Sequence, residues 1–129
     1  MILIYTDGGS RENPGKAACA FIVVDDNKII KKYSEYLGVK TNNEAEYYAV
    51  IRALENTKEK DIEIISDSEL VIKQLNGQYK ITKDHLRILK EQVNELIKDR
   101  NVKFTNLKRE NKFISNADYL VNKELDKKD

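Results

Sequence analysis

The 129-residue sequence has one cysteine, one histidine, one proline, no tryptophan and five glycines. Cys19 has no partner for an internal disulfide, and with His85 it leaves too few ligands for a Cys- or His-rich zinc site. A serine–histidine–aspartate triad is hard to build from the single histidine, which lies beside Asp84 and reads as an exposed edge residue. No apolar run approaches the roughly 20 residues of a membrane span. The opening ILIYTD is too short for a secretion signal and lacks its basic start, so the cytoplasm is the expected compartment. No Gly-x-Gly-x-x-Gly joins a strand to a helix, which argues against a Rossmann nucleotide-binding unit. The net charge is +1, from 23 basic and 22 acidic residues. A nucleic-acid partner must therefore be gripped by local patches and not by a global basic field.

What remains is a highly charged chain, 35% Asp, Glu, Lys and Arg, with enough apolar residues for one core. No repeat or linker divides it, so residues 1–129 read as a single domain. Strands are expected at 2–7, 17–25 and 28–37, with a turn region at 8–16 (GGSRENPGK) and a tight turn at Asp26-Asn27. The period then changes. Thr41-Asn42-Asn43 supply capping chemistry for a helix over 44–56. A short strand follows at 61–67, then a helix from Ser68 to Asn76 closed by Gly77. Thr82 is expected to cap a helix reaching about residue 99, with Leu86, Leu89, Val93, Leu96 and Ile97 on its apolar stripe. A last strand is expected at 101–107 and a last helix at 116–126. A meander followed by alternating helices and strands predicts an α/β fold. Its mixed five-stranded sheet has three antiparallel then two parallel strands, with helices on both faces.

Four acidic residues sit where bland physics does not put them. Asp7 ends an apolar strand before Gly8-Gly9, and Asp67 ends another before a helix. Glu46 heads the stripe Val50, Ala53, Leu54 on its helix, and Asp118 aligns with Val121 and Leu125 at i+3 and i+7. Each has a local alternative: a turn aspartate, an N-cap, a stripe-edge acid or a first-turn acid. With the first strand central, Asp7 and Asp67 lie side by side, and helices crossing that end bring Glu46 and Asp118 to the same point. Four crowded carboxylates require protons or cations. An all-oxygen site suits magnesium, and two such ions would stabilise the entering and leaving oxygens of a phosphoryl displacement. The residues therefore point to phosphodiester hydrolysis.

The segments TDGGSRENPG (6–15), TNNEAEYYAV (41–50), SDSELVIKQLNG (66–77) and NADYLVNKEL (116–125) resemble the type 1 ribonuclease H family in order and spacing, over essentially the whole chain. The resemblance implies a ribonuclease H-like fold. It implies hydrolysis of the RNA strand of RNA–DNA hybrids by two magnesium ions, with manganese as an alternative, leaving 5′-phosphate and 3′-hydroxyl ends. Asp7, Glu46, Asp67 and Asp118 match the catalytic metal-binding carboxylates, and Gly8 joins them as a metal-site position. Asn13, Asn42 and Asn43 match positions near the minor groove, where amides meet the 2′-hydroxyl. Thr41 is placed for a DNA-strand phosphate, and Glu69 stands where relatives often carry a base-touching amide. Two departures are visible. The loop 107–115 lacks the histidine of many bacterial members, leaving Arg109, Glu110 and Lys112 as alternatives, and the extra basic helix is missing. In its place stand Lys83, Arg87, Lys90 and Lys98, with Lys73 and Lys80. Same-fold alternatives are a nuclease preferring double-stranded RNA and a non-catalytic hybrid-binding module. A monomer needing no protein partner and no membrane is expected.

Overall fold

The computed structural model describes all 129 residues. The chain runs β1 (Ile2–Ser10), β2 (Gly15–Asp25), β3 (Lys28–Lys40), α1 (Asn42–Glu55), β4 (Asp61–Ser66), α2 (Glu69–Leu75), α3 (Asp84–Leu96), β5 (Asn101–Asn106) and α4 (Lys112–Asp126). The strands form one sheet in the order β3-β2-β1-β4-β5. β1 pairs antiparallel with β2, and β2 with β3, while the β1–β4 and β4–β5 pairs are parallel. The mixed sheet expected from the sequence is the one that forms, with β1 at its centre.

Period-two alternation divides the apolar residues between two layers. Ile4, Phe21, Val23, Ile62 and Ile64 join Tyr47, Val50, Leu54, Leu86, Leu89 and Val93 in the larger core under α1 and α3. Their sheet neighbours Tyr5, Ile22, Val24 and Ile65 pack on the other face against Phe113, Ile114 and Ala117 of α4. Ala18 and Ala20 meet Val121 and Leu125 farther along the same helix. One helix alone therefore covers most of the second face. The Tyr5 and Phe113 rings, 5.0 Å apart, fasten its start.

Several boundaries differ from the sequence expectation. Gly8, Gly9 and Ser10 are not turn residues but continue β1, paired with Cys19, Ala18 and Ala17. The turn contracts to 11–14. β3 continues to Lys40 past a bulge at Leu37, where Gly38 adopts φ +80°. Lys83, not Thr82, stands at the N-cap of α3 and makes no side-chain capping bond, and Asp99 at φ +63° lies beyond the end of that helix. α4 starts at Lys112 because the Asn111 side chain accepts from the backbone N–H groups of Phe113 and Ile114 at 2.9 and 3.2 Å. Asp118 thus lies in the second turn, where the helix dipole no longer accounts for an acid. No helix is long and apolar enough to cross a membrane.

Candidate active site at the carboxyl end of the parallel strands

Asp7 follows Tyr5 on the α4 side of the central strand, and only 5% of its surface is exposed. The next residue turns the opposite way. A Cβ on Gly8 would lie 2.3 Å from the Ala45 carbonyl carbon and 2.6 Å from the Glu46 nitrogen. The backbone of α1 therefore rests directly on β1, which only glycine permits, and Glu46 is carried in beside Asp7. Thr41 fixes the start of α1 through a reciprocal capping box. Its hydroxyl accepts from the Glu44 N–H at 3.1 Å, and the Glu44 carboxylate accepts from the Thr41 N–H at 2.9 Å. Asp67 immediately follows β4, next to β1 in the sheet, and Asp118 comes from α4.

Asp7, Gly8, Glu46 and Asp118 line one cleft of about 300 Å³, which Arg11, Arg109 and Asn122 share. Asp67 adjoins it through Arg109, whose Nε donates to Asp67 Oδ2 at 3.0 Å. The crowding registers in protonation. Burial raises the Asp7 carboxyl to about 8, and the charges of Asp67, Asp118 and Glu46 add to the shift against the opposing pull of Arg109. Burial likewise raises Glu46 to about 7. The Ser68 hydroxyl and Arg109 oppose that shift, and the Asp67 charge adds to it.

The groups able to hold a cation are carboxylate oxygens, with Asp7 buried and Glu46, Asp67 and Asp118 half-buried, and an all-oxygen set of this kind fits a hard divalent cation. No three His, Cys, Asp or Glu side chains are grouped closely enough to hold an ion by themselves.

The amides beside the cleft have fixed polarity. Asn42 Oδ1 accepts from the Ser10 N–H at 2.7 Å and from the Ser10 hydroxyl at 3.0 Å. Asn13 Oδ1 accepts from the Asn42 N–H at 3.0 Å. With both oxygens engaged, each residue retains its NH2 group as a donor. Asn43 lies apart, lining a second hollow with Gln74, Lys80, Thr82 and Lys83. Glu69 does not reach the carboxylate cleft; it pairs with Lys73 at 3.1 Å. The basic stripe is thinner than its sequence suggests, because Arg87 pairs with Asp84 and Lys98 with Glu95. His85 is exposed on the first turn of α3, away from the cleft.

The RNase H family model matches residues 1–125. The chain belongs to the ribonuclease H family. Its ribonuclease H fold superposes on the crystal structure of LC11-RNase H1 in complex with an RNA/DNA hybrid with a TM-score of 0.92 and 36% identity, covering 98% of each chain. RNase H1 from the halophilic archaeon Halobacterium salinarum gives a TM-score of 0.92 and 37% identity over 98% of each chain. Among curated sequences, Ribonuclease HI of Halobacterium salinarum is 41% identical over 97 residues, 72% of this chain and 49% of the relative. The alignments to curated ribonucleases H thus span about half the length of the relatives they match.

Three residues of this ribonuclease H cleft escaped the sequence reading as members of the site. Arg109 stood only as one of three loop candidates, and the structure singles it out by its bond to Asp67. Arg11 and Asn122 gave no signal, because a turn arginine and a helix-surface asparagine look ordinary until the fold brings them together.

Proposed function

We propose that this chain is a divalent-metal-dependent endoribonuclease that hydrolyses the RNA strand of RNA–DNA hybrids. One observation carries the reading: Asp7, Glu46 and Asp118 line one cleft that Asp67 adjoins through Arg109, in a fold that matches a hybrid-bound ribonuclease H along nearly its whole length. Asp7, Glu46, Asp67 and Asp118 are the proposed metal ligands and catalytic groups, with Gly8 at the metal site. When bound, a pair of magnesium ions supplies activation of the attacking water and charge stabilisation at the departing 3′ oxygen. The cleft holds no histidine, so proton traffic through a protein imidazole has no part in the reading.

The remaining roles follow from hydrogen-bond polarity. Asn13 and Asn42 offer donors to the 2′-hydroxyl oxygen and to minor-groove acceptors, which separates an RNA strand from a DNA strand by the oxygen that only ribose carries. The Thr41 Oγ accepts within its own helix cap and keeps its hydroxyl proton for a phosphate. Lys80 and Lys83, beside Asn43, supply positive charge for the second strand without a competing ion pair. Residues 1–129 are proposed to act as one monomeric domain in the cytoplasm.

The test is cleavage of an end-labelled hybrid in magnesium by the wild type and by Asp67→Asn, beside all-RNA and all-DNA duplexes. RNA-strand cutting confined to the hybrid and lost in the variant is expected. Intact RNA in a stably bound hybrid would make the protein a binding module, and preferential cutting of the all-RNA duplex would reassign its substrate.

A further inference from the structure

Asp118 differs from the other carboxylates of the cleft in how it is held. Asp7 is buried in the sheet, and Asp67 lies at a strand end with its side chain only 12% exposed and bonded to Arg109. Asp118 is half-buried on α4, on the face that also carries Val121 and Leu125. Its neighbour one turn later is Asn122, whose Nδ2 lies 3.0 Å from the Asp118 carbonyl oxygen and 3.4 Å from Asp118 Oδ2. The other end of that amide faces Arg11. A guanidinium Nη of Arg11 donates to Asn122 Oδ1 at 3.2 Å, and the second Nη lies 3.5 Å from the Asn122 carbonyl. Arg11 is itself anchored by Asp126 on the following turn and, at 3.5 Å, by Asp129. Its backbone N–H donates to the Lys16 carbonyl at 2.9 Å across the β1–β2 turn.

We propose that Arg11 and Asn122 form a positioning relay that presents Asp118 to the metal site. The chemistry follows from what each group can donate. A guanidinium has donors only, so it turns the Asn122 oxygen toward itself. The amide's NH2 is then forced toward Asp118. Flipped, Asn122 would aim its oxygen at a carboxylate oxygen, with no proton between them. Arg11 thus orients the Asn122 amide toward Asp118 from two bonds away, while its own charge is met by Asp126 and Asp129 and leaves the carboxylates of the cleft free. Arg109, by contrast, bonds Asp67 directly. The relay also ties the β1–β2 turn, at the end of the strand that carries Asp7, to the helix that bears Asp118. Arg11 and Asn122 are positioning residues, because neither needs to touch the reacting atoms.

The inference rests on the metal-dependent reading above, so the experiment separates the two. Manganese binding to the free protein is titrated by electron paramagnetic resonance, and the half-saturating magnesium concentration for hybrid cleavage is measured in parallel. Hybrid affinity is measured in EDTA. Asn122→Ala and Arg11→Met are expected to weaken manganese binding about 10-fold, the lower range for losing an outer-shell partner, and to raise half-saturating magnesium alongside. Arg11→Lys, which still donates to Oδ1, should recover most of the affinity. In the Arg11→Met background, Asn122→Ala should add little, as expected for two members of one chain of contacts. If the wild type neither binds manganese nor needs magnesium to cleave the hybrid, the metal reading itself fails. If the wild type binds manganese and the variants bind equally well, the relay is overturned. A loss of hybrid affinity in EDTA that matches the whole loss of activity would also overturn it, making Arg11 a phosphate contact. Thermal unfolding identifies a variant that has merely lost its fold, and Asn122→Ala leaves the Arg11–Asp126 pair in place as the milder probe.

Discussion

Two arginines at opposite ends of the sheet show how differently one side chain can be used. Arg100 precedes β5 at the amino-terminal edge of the parallel strands. Its guanidinium donates to the carbonyls of Leu54, Thr57 and Glu59 and to the Thr57 hydroxyl, at 3.0 to 3.3 Å, and so closes the connection from α1 to β4. Those acceptors are neutral, local and satisfied. Arg109 at the other end faces carboxylates, bonds one of them, and leaves Asp7 and Glu46 with raised pKa values. The first end is built to hold the chain together. The second carries an electrostatic conflict that the rest of the fold must hold in place, and that the proposed metal ions would relieve.

The sharpest way to break this contrast is at the carboxylates. Asp7→Asn should abolish hybrid cleavage, a loss of at least about 10³-fold as for other groups that stabilise a transition state. It should also raise the melting temperature of the metal-free protein at neutral pH, because Asp7, with a folded pKa of about 8, must take up a proton on folding and asparagine need not. Unchanged activity would remove Asp7 from the site. Gly8→Ala comes next. The added methyl has no room between β1 and α1, so both hybrid cleavage and stability should fall, by at least the roughly 1–3 kcal/mol of ordinary overpacking in chemical denaturation.

Arg100→Ala sharpens the comparison from the other end. It should lower stability by about 2 kcal/mol through several unpaired carbonyls, while cleavage per folded molecule stays at the wild-type rate. A catalytic defect at temperatures well below unfolding would contradict the division of labour. A further test is in pH. Asp7 and Glu46 have folded pKa values of about 8 and 7, above those of an unfolded chain. Their penalty is therefore absent below about pH 4 and grows as pH rises toward 8. Metal-free melting temperatures should decline across that window, and saturating magnesium should flatten the decline. A metal-free curve that rises from pH 5 to 8 would overturn the assignment.

The sheet order and the four carboxylates were legible because each left a mark in one dimension. Asp7 and Asp67 interrupt apolar strands, and Glu46 stands on an otherwise apolar helical stripe. Other features were less visible. Glycines look like turns whether they bend the chain or, as at Gly8, let a helix lie on a strand. The early start of α4 depended on Asn111, whose side chain caps the helix from within a polar stretch that reads as loop. Glu69 matched a family position in sequence, yet it is turned toward Lys73 and Tyr79. The Arg11–Asn122 contact spans 111 positions and pairs two residue types common on any surface, so no local pattern could announce it.

The placement of α4 has a consequence for synthesis. The proposed ligands are spread over residues 7 to 118, and the helix bearing the last of them is also what covers Tyr5, Ile22, Val24 and Ile65. A ribosome-bound chain that has not yet extruded this segment displays a bare apolar sheet and three of the four acids. The nascent polypeptide thus passes through its stickiest stage before the proposed ligand set is complete, and a single docking event ends both conditions.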